Sequence, residues 1–313
     1  MTKADFGPLF FCPFREVKAE ILYFCIRTTL KKMKTHTLTL SLALLYALLP
    51  AQAPLRLSPP FSLGGYTVSA ENACALAANP SALAFQRSPV FLSIVRQQAL
   101  ALPSSVFLSG CGLPFGERNA FGMFVLQERW ADFRETGAAV SFAQSYAQRF
   151  AMALQLSCRS LAYSDAYYGR KFGMDVSLST FYRPQAPWRF GLVWDNPFGL
   201  PFWVGGAQRE RIPSAVGAGG SYHWSARWTT CFEYRKTSDG PATLYVGLEA
   251  RPHKRMQGWA GFEIPYAKAD FGVACALPFG YCGMACAFHP LTGPSLALFV
   301  SGPQPAAKGG RKE

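Results

Sequence analysis

The chain has 313 residues, of which 50% are hydrophobic and 16% charged, with a formal net charge of +13. Soluble proteins usually carry about 25% charged residues, so this composition excludes a disordered, highly charged protein. The repeated runs of ~20 apolar residues that a helical membrane protein needs do not occur. The 28 glycines and 23 prolines are too many for a helix bundle and favour a fold with many turns.

Residues 33–53 predict a cleaved signal peptide. Basic residues precede an apolar stretch of about twelve residues, Leu38–Leu49, and small residues suited to cleavage follow it. We predict cleavage after Ala53 and take Met33 as the true start, so that residues 1–32 would be an upstream extension. A hydrophobic helix buried in the fold is the alternative. An exported protein of basic charge would meet an anionic membrane surface or ligand.

The rest of the sequence gives little sign of catalysis, metal binding or nucleic-acid binding. Basic residues cluster only in the tail, residues 302–313, so no nucleic-acid partner is expected. The seven cysteines after residue 53 are odd in number and show no CxxC motif, so we interpret most of them as small apolar side chains. Ser221 and His223 lie two apart on one predicted strand, but no nucleophile elbow supports them. We therefore predict no enzyme, no metal and no cofactor.

Residues 89–301 alternate between apolar and polar or small residues. In residues 172–180, for example, the even positions are apolar or Thr and the odd positions after 172 are small or polar, which is typical of a strand with two different faces. Turn signals rich in Gly and Pro separate the segments. The resulting fourteen predicted strands are 89–97, 103–112, 118–129, 136–147, 150–163, 172–183, 187–195, 212–223, 225–236, 242–251, 257–265, 269–278, 281–289 and 294–301.

Two features favour a membrane barrel over a soluble β-sandwich. Aromatic residues recur near the predicted strand ends, as in the girdles of membrane barrels, and charges occur in the middle of the polar face. We predict an all-β fold, a transmembrane antiparallel barrel of about fourteen strands, with a soluble secreted β protein as the alternative. The charges expected to face the lumen and a ligand are Arg159, Asp175, Arg189, Glu233, Arg235 and Glu249.

Residues 54–88 precede the barrel, and their Ala-rich part, residues 64–85, predicts a plug. Asn79-Pro80 breaks any helix, because proline lacks a donor and restricts the residue before it. A short helix followed by a tight turn would fit inside a barrel.

This segment resembles the start of FadL-type outer-membrane barrels, a superfamily that includes the long-chain fatty-acid transporter and PorV- and PorQ-like proteins. The matching residues are Gly64, Gly65, Glu71, Ala73, Asn79, Pro80, Leu83 and Ala84. The departures are Ser81 and Ala82 after the Asn-Pro pair, a shorter mature chain, and a basic tail after the last strand. The match is local and covers only residues 64–85; the rest of the chain matches the superfamily only in strand number and pattern.

The resemblance implies a fourteen-stranded barrel in the bacterial outer membrane with an N-terminal plug. It implies passive uptake of hydrophobic molecules such as long-chain fatty acids, with outer-membrane lipid and the barrel-assembly machinery as partners. For the PorV-like branch it implies instead a structural or secretion role with a protein partner. In the uptake role, Arg159, Arg189 and Arg235 would meet a carboxylate.

The residues between Asp195 and Arg211 predict the longest loop of the barrel. The loop is rich in aromatic residues, and loops of this kind often carry binding function. Phe198, Phe202 and Trp203 are the candidates for capturing a hydrophobic ligand. A plain extracellular turn and a partner-binding surface are the alternatives.

Overall fold

The computed structural model describes residues 69–98, 104–130, 133–146, 148–163, 170–184, 187–204, 209–290 and 293–302. The predictions for the signal peptide, for Gly64 and Gly65 and for residues 303–313 of the tail concern residues outside these ranges.

Fourteen antiparallel strands close into a barrel, because each strand pairs with the next and β1 pairs with β16. The strands are β1 (Val90–Gln98), β2 (Ser104–Phe115), β3 (Asn119–Trp130), β4 (Phe133–Tyr146), β5 (Phe150–Tyr163), β6 (Arg170–Tyr182), β7 (Trp188–Asp195), β10 (Ala215–His223), β11 (Trp228–Thr237), β12 (Ala242–His253), β13 (Met256–Ile264), β14 (Lys268–Leu277), β15 (Gly280–His289) and β16 (Gly293–Ser301). The predicted all-β barrel of fourteen strands is confirmed, and every predicted boundary falls within three residues of the observed one.

Two further short strands, β8 (Pro201–Val204) and β9 (Arg209–Arg211), form a hairpin between β7 and β10. β7 pairs with Ser177–Tyr182 of β6, and β8 pairs with Lys171–Gly173 farther along the same strand. The predicted loop is the longest connection between barrel strands, but it is not irregular throughout, since pairing with β6 resumes after an interruption. β7 and β8 therefore lie one after the other along β6, separated by a break in the wall at residues 196–200.

Asn196 orders this break. Its φ is 45° and that of Gly199 is 60°, values in the left-handed region that asparagine and glycine tolerate best. The buried Asn196 amide donates to the carbonyl oxygens of Leu200 (3.2 Å) and Ile212 (2.8 Å), and its Oδ1 accepts from the Leu200 N–H at 2.8 Å. The break is thus a hydrogen-bonded kink that reaches across to the chain entering β10.

The two faces of the barrel wall differ in character. On β5, Met152, Leu154 and Leu156 point outward and are 45–48% exposed, whereas Ala153 and Gln155 between them are 7% and 8% exposed. The same alternation runs along the other long strands, so that the outer surface is a continuous apolar belt. Such a belt is far larger than the apolar patches of soluble monomers and is what a lipid-facing barrel presents.

Residues 69–86, the described part of the predicted plug segment, lie inside the barrel. Helix α1 (Ala75–Ala78) is followed by a 3-10 helix, Pro80–Phe85. A barrel of fourteen strands is too wide for its own side chains to fill, and Leu76 and Leu83 of the plug, at 0% and 1% exposure, fill part of it. No helix among the described residues is long and apolar enough to cross a membrane.

Candidate functional site

The lumen has two ends that differ in their connections. We call the end where β1 begins and β16 ends the plug end, and the opposite one the far end. At the plug end the strands are joined by two to five residues, whereas the interrupted β7–β10 connection lies at the far end. The plug lies near the plug end, so the remaining lumen faces the far end.

Asn79 and Pro80, the predicted turn motif, are both fully buried inside the barrel. Asn79 Oδ1 accepts from the Ser81 N–H at 3.3 Å and from the Ser81 hydroxyl, which caps the 3-10 helix that Pro80 begins. Asn79 Nδ2 donates to the carbonyl oxygen of Thr180 on β6 at 3.0 Å. A single side chain thus shapes the turn and ties it to the wall.

A second attachment of the plug is ionic. Glu71 Oε1 lies 2.6 Å from Arg183 Nε and 2.8 Å from Arg189 Nε. The Arg183 guanidinium also lies over the ring of Phe85, 3.7 Å from its centroid, a cation–π geometry. Arg189, predicted to meet a ligand, therefore holds the plug in this structure.

The six predicted lumen charges all lie on the inner face of the wall, but they do not form one cluster. Arg159 Nε lies 2.7 Å from Asp175 Oδ2, and Arg235 lies 2.9 Å from Asp195 Oδ2. Glu249, on β12 next to β11, lies 2.7 Å from the Nε of Arg251. Glu233 is buried on the inner face of β11. Each predicted arginine thus already has a carboxylate partner, and the prediction that these residues contact a ligand stays a prediction.

A cavity of about 80 Å³ lies between the plug and the far end. Its apolar side is formed by Ala77, Ala78, Leu108, Phe124, Leu126 and Ala139. Its polar side is formed by Glu135, Gln155, Ser157, Arg159, Asp195 and Arg235. Since Ala77 and Ala78 belong to α1, the plug itself is the floor of the cavity.

The cavity lies directly behind the break in the wall. Ser177 and Asp195, which both line it, form the last paired rung between β6 and β7 before the kink. Phe198, in the kink, is 69% exposed. Phe202 and Trp203 lie on β8, and their side chains are outside the described part of the structure. A ligand in the cavity would thus be close to the interrupted part of the wall.

Glu135, Gln155 and Ser157 were missed as candidates from the sequence. Strand β4 begins at Phe133, three residues before the predicted strand 136–147, so Glu135 lies outside that predicted strand. The alternation could have shown this, because Glu135 lies an even number of residues from Gly137, Ala139 and Ser141 and so points to the same inner face. Gln155 and Ser157 share the inner face of β5 with Arg159 but carry no charge to mark them.

Other reactive residues show no assembled site. His223 Nδ1 lies 2.9 Å from Thr229 Oγ1, and the Ser221 hydroxyl is fully buried. Within the described ranges, no group of three or more His, Cys, Asp or Glu side chains could hold a metal ion. The seven cysteines described there are free thiols.

No protein-family model and no curated protein sequence matches this chain. Solved structures do. The toluene transporter TodX of P. putida matches with a TM-score of 0.57 at 9% identity, over 78% of this chain and 99% of its own. A FadL homologue of Pseudomonas aeruginosa has a TM-score of 0.56 at 10% identity, over 77% and 96%. The toluene transporter TbuX of Ralstonia pickettii has a TM-score of 0.56 at 11% identity, over 77% and 98%. At these identities the likeness establishes the fold: a FadL-type barrel.

Proposed function

We propose that this protein is an outer-membrane channel that lets small hydrophobic molecules cross by diffusion. The observation that carries the proposal is the cavity between the plug and the far end, which lies directly behind the break in the wall at residues 196–200. A ligand could enter the lumen from the far end, rest above the plug and leave beside the kink. Two of the structures that share the fold are toluene transporters.

Location in the outer membrane is part of the proposal. It is supported by the predicted signal peptide, by the apolar outer belt and by the closed barrel, which is one of the few structures whose backbone is satisfied in lipid. Outer-membrane barrels have short periplasmic turns and longer extracellular loops, so the plug end would face the periplasm. Lipid and the barrel-assembly machinery would be the partners.

Small molecules are favoured over long-chain fatty acids as the ligand. The cavity of about 80 Å³ is small beside the roughly 300–1,000 Å³ of pockets that enclose drug-sized ligands. The three arginines that would meet a fatty-acid carboxylate already pair with Asp175, Asp195 and Glu71. A secretion role with a protein partner is the alternative implied by the sequence resemblance.

The test is uptake of radiolabelled toluene by intact cells of a Gram-negative host that produces the chain. Intact cells are needed because small hydrophobic molecules cross a plain phospholipid bilayer unaided. We expect faster uptake than in cells without the protein. The variant Ala139→Phe, which places a ring in the cavity, should abolish the increase.

Val140→Phe is the matched control. Val140 is a neighbour of Ala139 on β4 that is 57% exposed on the outer face and does not line the cavity, so its ring would face lipid. Both variants should fold, as judged by a change in gel mobility on boiling. Equal uptake by cells with and without the chain, or copurification with a stable partner and no uptake, would contradict the proposal.

A further inference from the structure

We propose that the cavity is a binding site for a protonated amine with a small apolar body. The ammonium group would contact Glu135 and Gln155, and the apolar part would lie against Leu108, Phe124 and Leu126. This deepens the proposed function, on which its link to transport rests. The carrying observations are two buried acceptor atoms on the cavity wall, one of them on a carboxylate that shares Arg159 with Asp175.

The carboxylates around the cavity outnumber the arginines that contact them. Arg159 pairs with Asp175, and Arg235 pairs with Asp195. Arg96 and Glu128 are buried on neighbouring parts of the wall and attract each other. Glu135 is attracted to Arg159 but repelled by Asp175 and Glu128. Arg159 therefore faces two carboxylates, its ion-pair partner Asp175 and Glu135. Lys171, the cation on the same rung of the inner face, lies over the Tyr163 ring with its Nζ 5.2 Å from the ring centroid.

The cavity also presents acceptors that have no donor. Glu135 Oε1 and Gln155 Oε1 are buried and have no hydrogen-bond partner among the described residues. Glu135 is 4% exposed and Gln155 is 8% exposed, so neither oxygen is satisfied by bulk water. A buried acceptor without a partner costs about 1–3 kcal/mol, which a ligand with N–H donors would recover.

An ammonium fits these groups better than a carboxylate or a hydroxyl. It brings three donors and no acceptor, and a hydrogen bond between ions is roughly twice as strong as a neutral one. A carboxylate would bring only acceptors next to Glu135. The apolar side of the cavity, formed by Leu108, Phe124 and Leu126 with alanines of the plug, suits a short hydrocarbon body.

The experiment measures direct binding of three probes of equal length to the full chain, purified in non-ionic detergent at neutral pH. The probes are n-butylammonium, 1-butanol and butyrate, and their binding is followed by ligand-observed nuclear magnetic resonance. We expect n-butylammonium to bind about tenfold more tightly than 1-butanol, because its hydrogen bond to a carboxylate is charge-assisted. Butyrate should bind more weakly than either.

Two variants locate the site. Glu135→Gln keeps the shape and removes the charge, and should weaken n-butylammonium binding about tenfold. Gln155→Met removes the second acceptor at similar volume and should weaken it about threefold, the effect of losing a neutral hydrogen bond. Glu263→Gln is the control, since Glu263 pairs with Lys268 Nζ at 3.1 Å and does not line the cavity. Its affinity should stay within about twofold of the original, because independent sites act separately.

Tighter or equal binding of 1-butanol or butyrate would overturn the proposal. No binding of n-butylammonium, or equal loss with Glu135→Gln and Glu263→Gln, would overturn it too. If Glu135→Gln fails to fold, as judged by gel mobility before and after boiling, Gln155→Met decides the question. Binding in detergent requires no membrane passage, so a protein that binds the amine but shows no toluene uptake would refute the channel and leave this site intact.

Discussion

The half of the lumen near the plug end differs from the half near the far end, and strand β5 runs along both. On β5, the inner-facing residues near the plug end are Ala151 and Ala153, both buried in the apolar cluster with the plug. Farther along the same face come Gln155, Ser157 and Arg159, which line the cavity. The residues near the plug end are small and apolar because the plug packs against them. The residues farther along are polar because they border a cavity instead of packed side chains. The comparison indicates that the plug half seals the barrel and the far half binds.

Buried cysteine Cys74 gives a direct measure of the seal. It lies next to α1 in the plug, and burial raises the pKa of its thiol to about 12. Because the thiolate is the reactive form, Cys74 should label slowly at neutral pH while the plug is in place. In a variant with the other cysteines changed to Ala, its labelling rate reports how often the plug leaves the wall.

The largest difference in stability between the two halves is expected when a leucine in each half is replaced by alanine. Leu83→Ala should destabilise the plug by about 2–5 kcal/mol, the usual cost of a new cavity in a packed core. Leu126→Ala should cost less, since Leu126 already borders a cavity. Cys74 labelling should therefore accelerate about thirtyfold or more in Leu83→Ala. Similar acceleration in both variants would erase the distinction between the halves.

Adding a methyl group at a glycine should also affect the two halves of the lumen differently. A Cβ at Gly122 would lie 2.8 Å from Leu83 Cδ1 and 2.5 Å from Ser141 Oγ, whereas at Gly137 its nearest neighbour would be the Cys158 carbonyl oxygen at 3.4 Å. Gly122→Ala should weaken plug attachment by about 1–3 kcal/mol through overpacking. Gly137→Ala should change it by less than about 0.5 kcal/mol. Hydrogen exchange of the plug amides is the measurement, and faster exchange in Gly137→Ala than in Gly122→Ala would contradict the packing described.

The turn at Asn79 should have an intermediate effect. Asn79→Ala removes the cap on the 3-10 helix and the bond to the Thr180 carbonyl, at a cost of about 1–2 kcal/mol. Asn79→Asp keeps the acceptor for Ser81 but loses the donor to Thr180, so it separates the two contributions. Cys74 labelling should be faster in both variants. An Asn79→Ala variant that labels at the original rate would show that the turn does not hold the plug.

The ionic attachment should matter least. Glu71 and its two arginines are each about a quarter exposed or less, and partly exposed ion pairs contribute about 0.2–1 kcal/mol. Glu71→Gln should therefore raise Cys74 labelling by less than about fivefold, and added salt should remove much of the difference. The control Glu263→Gln, whose partner Lys268 is unconnected with the plug, should not change labelling.

The sequence predicted the barrel well because its alternation reports directly which face of each strand points outward and which points into the lumen. It predicted the plug because Asn79-Pro80 forbids a continuous helix. It did not predict that β8 and β9 continue the wall, since such short strands are fixed by pairing with β6 and by the side chain of Asn196. Nor did it reveal which lumen charges pair, because partners such as Arg235 and Asp195 are 40 residues apart and meet only through the closed barrel.

The division of the lumen is tested most directly by single-channel conductance in a planar bilayer. We predict that the full chain conducts almost no ions, because the plug and its apolar wall block the plug half. A variant lacking residues 69–86, shown to be folded by its gel mobility before and after boiling, should give large steady currents. If the full chain conducts as well as the variant without the plug, the seal does not exist and the two halves of the lumen are not distinct.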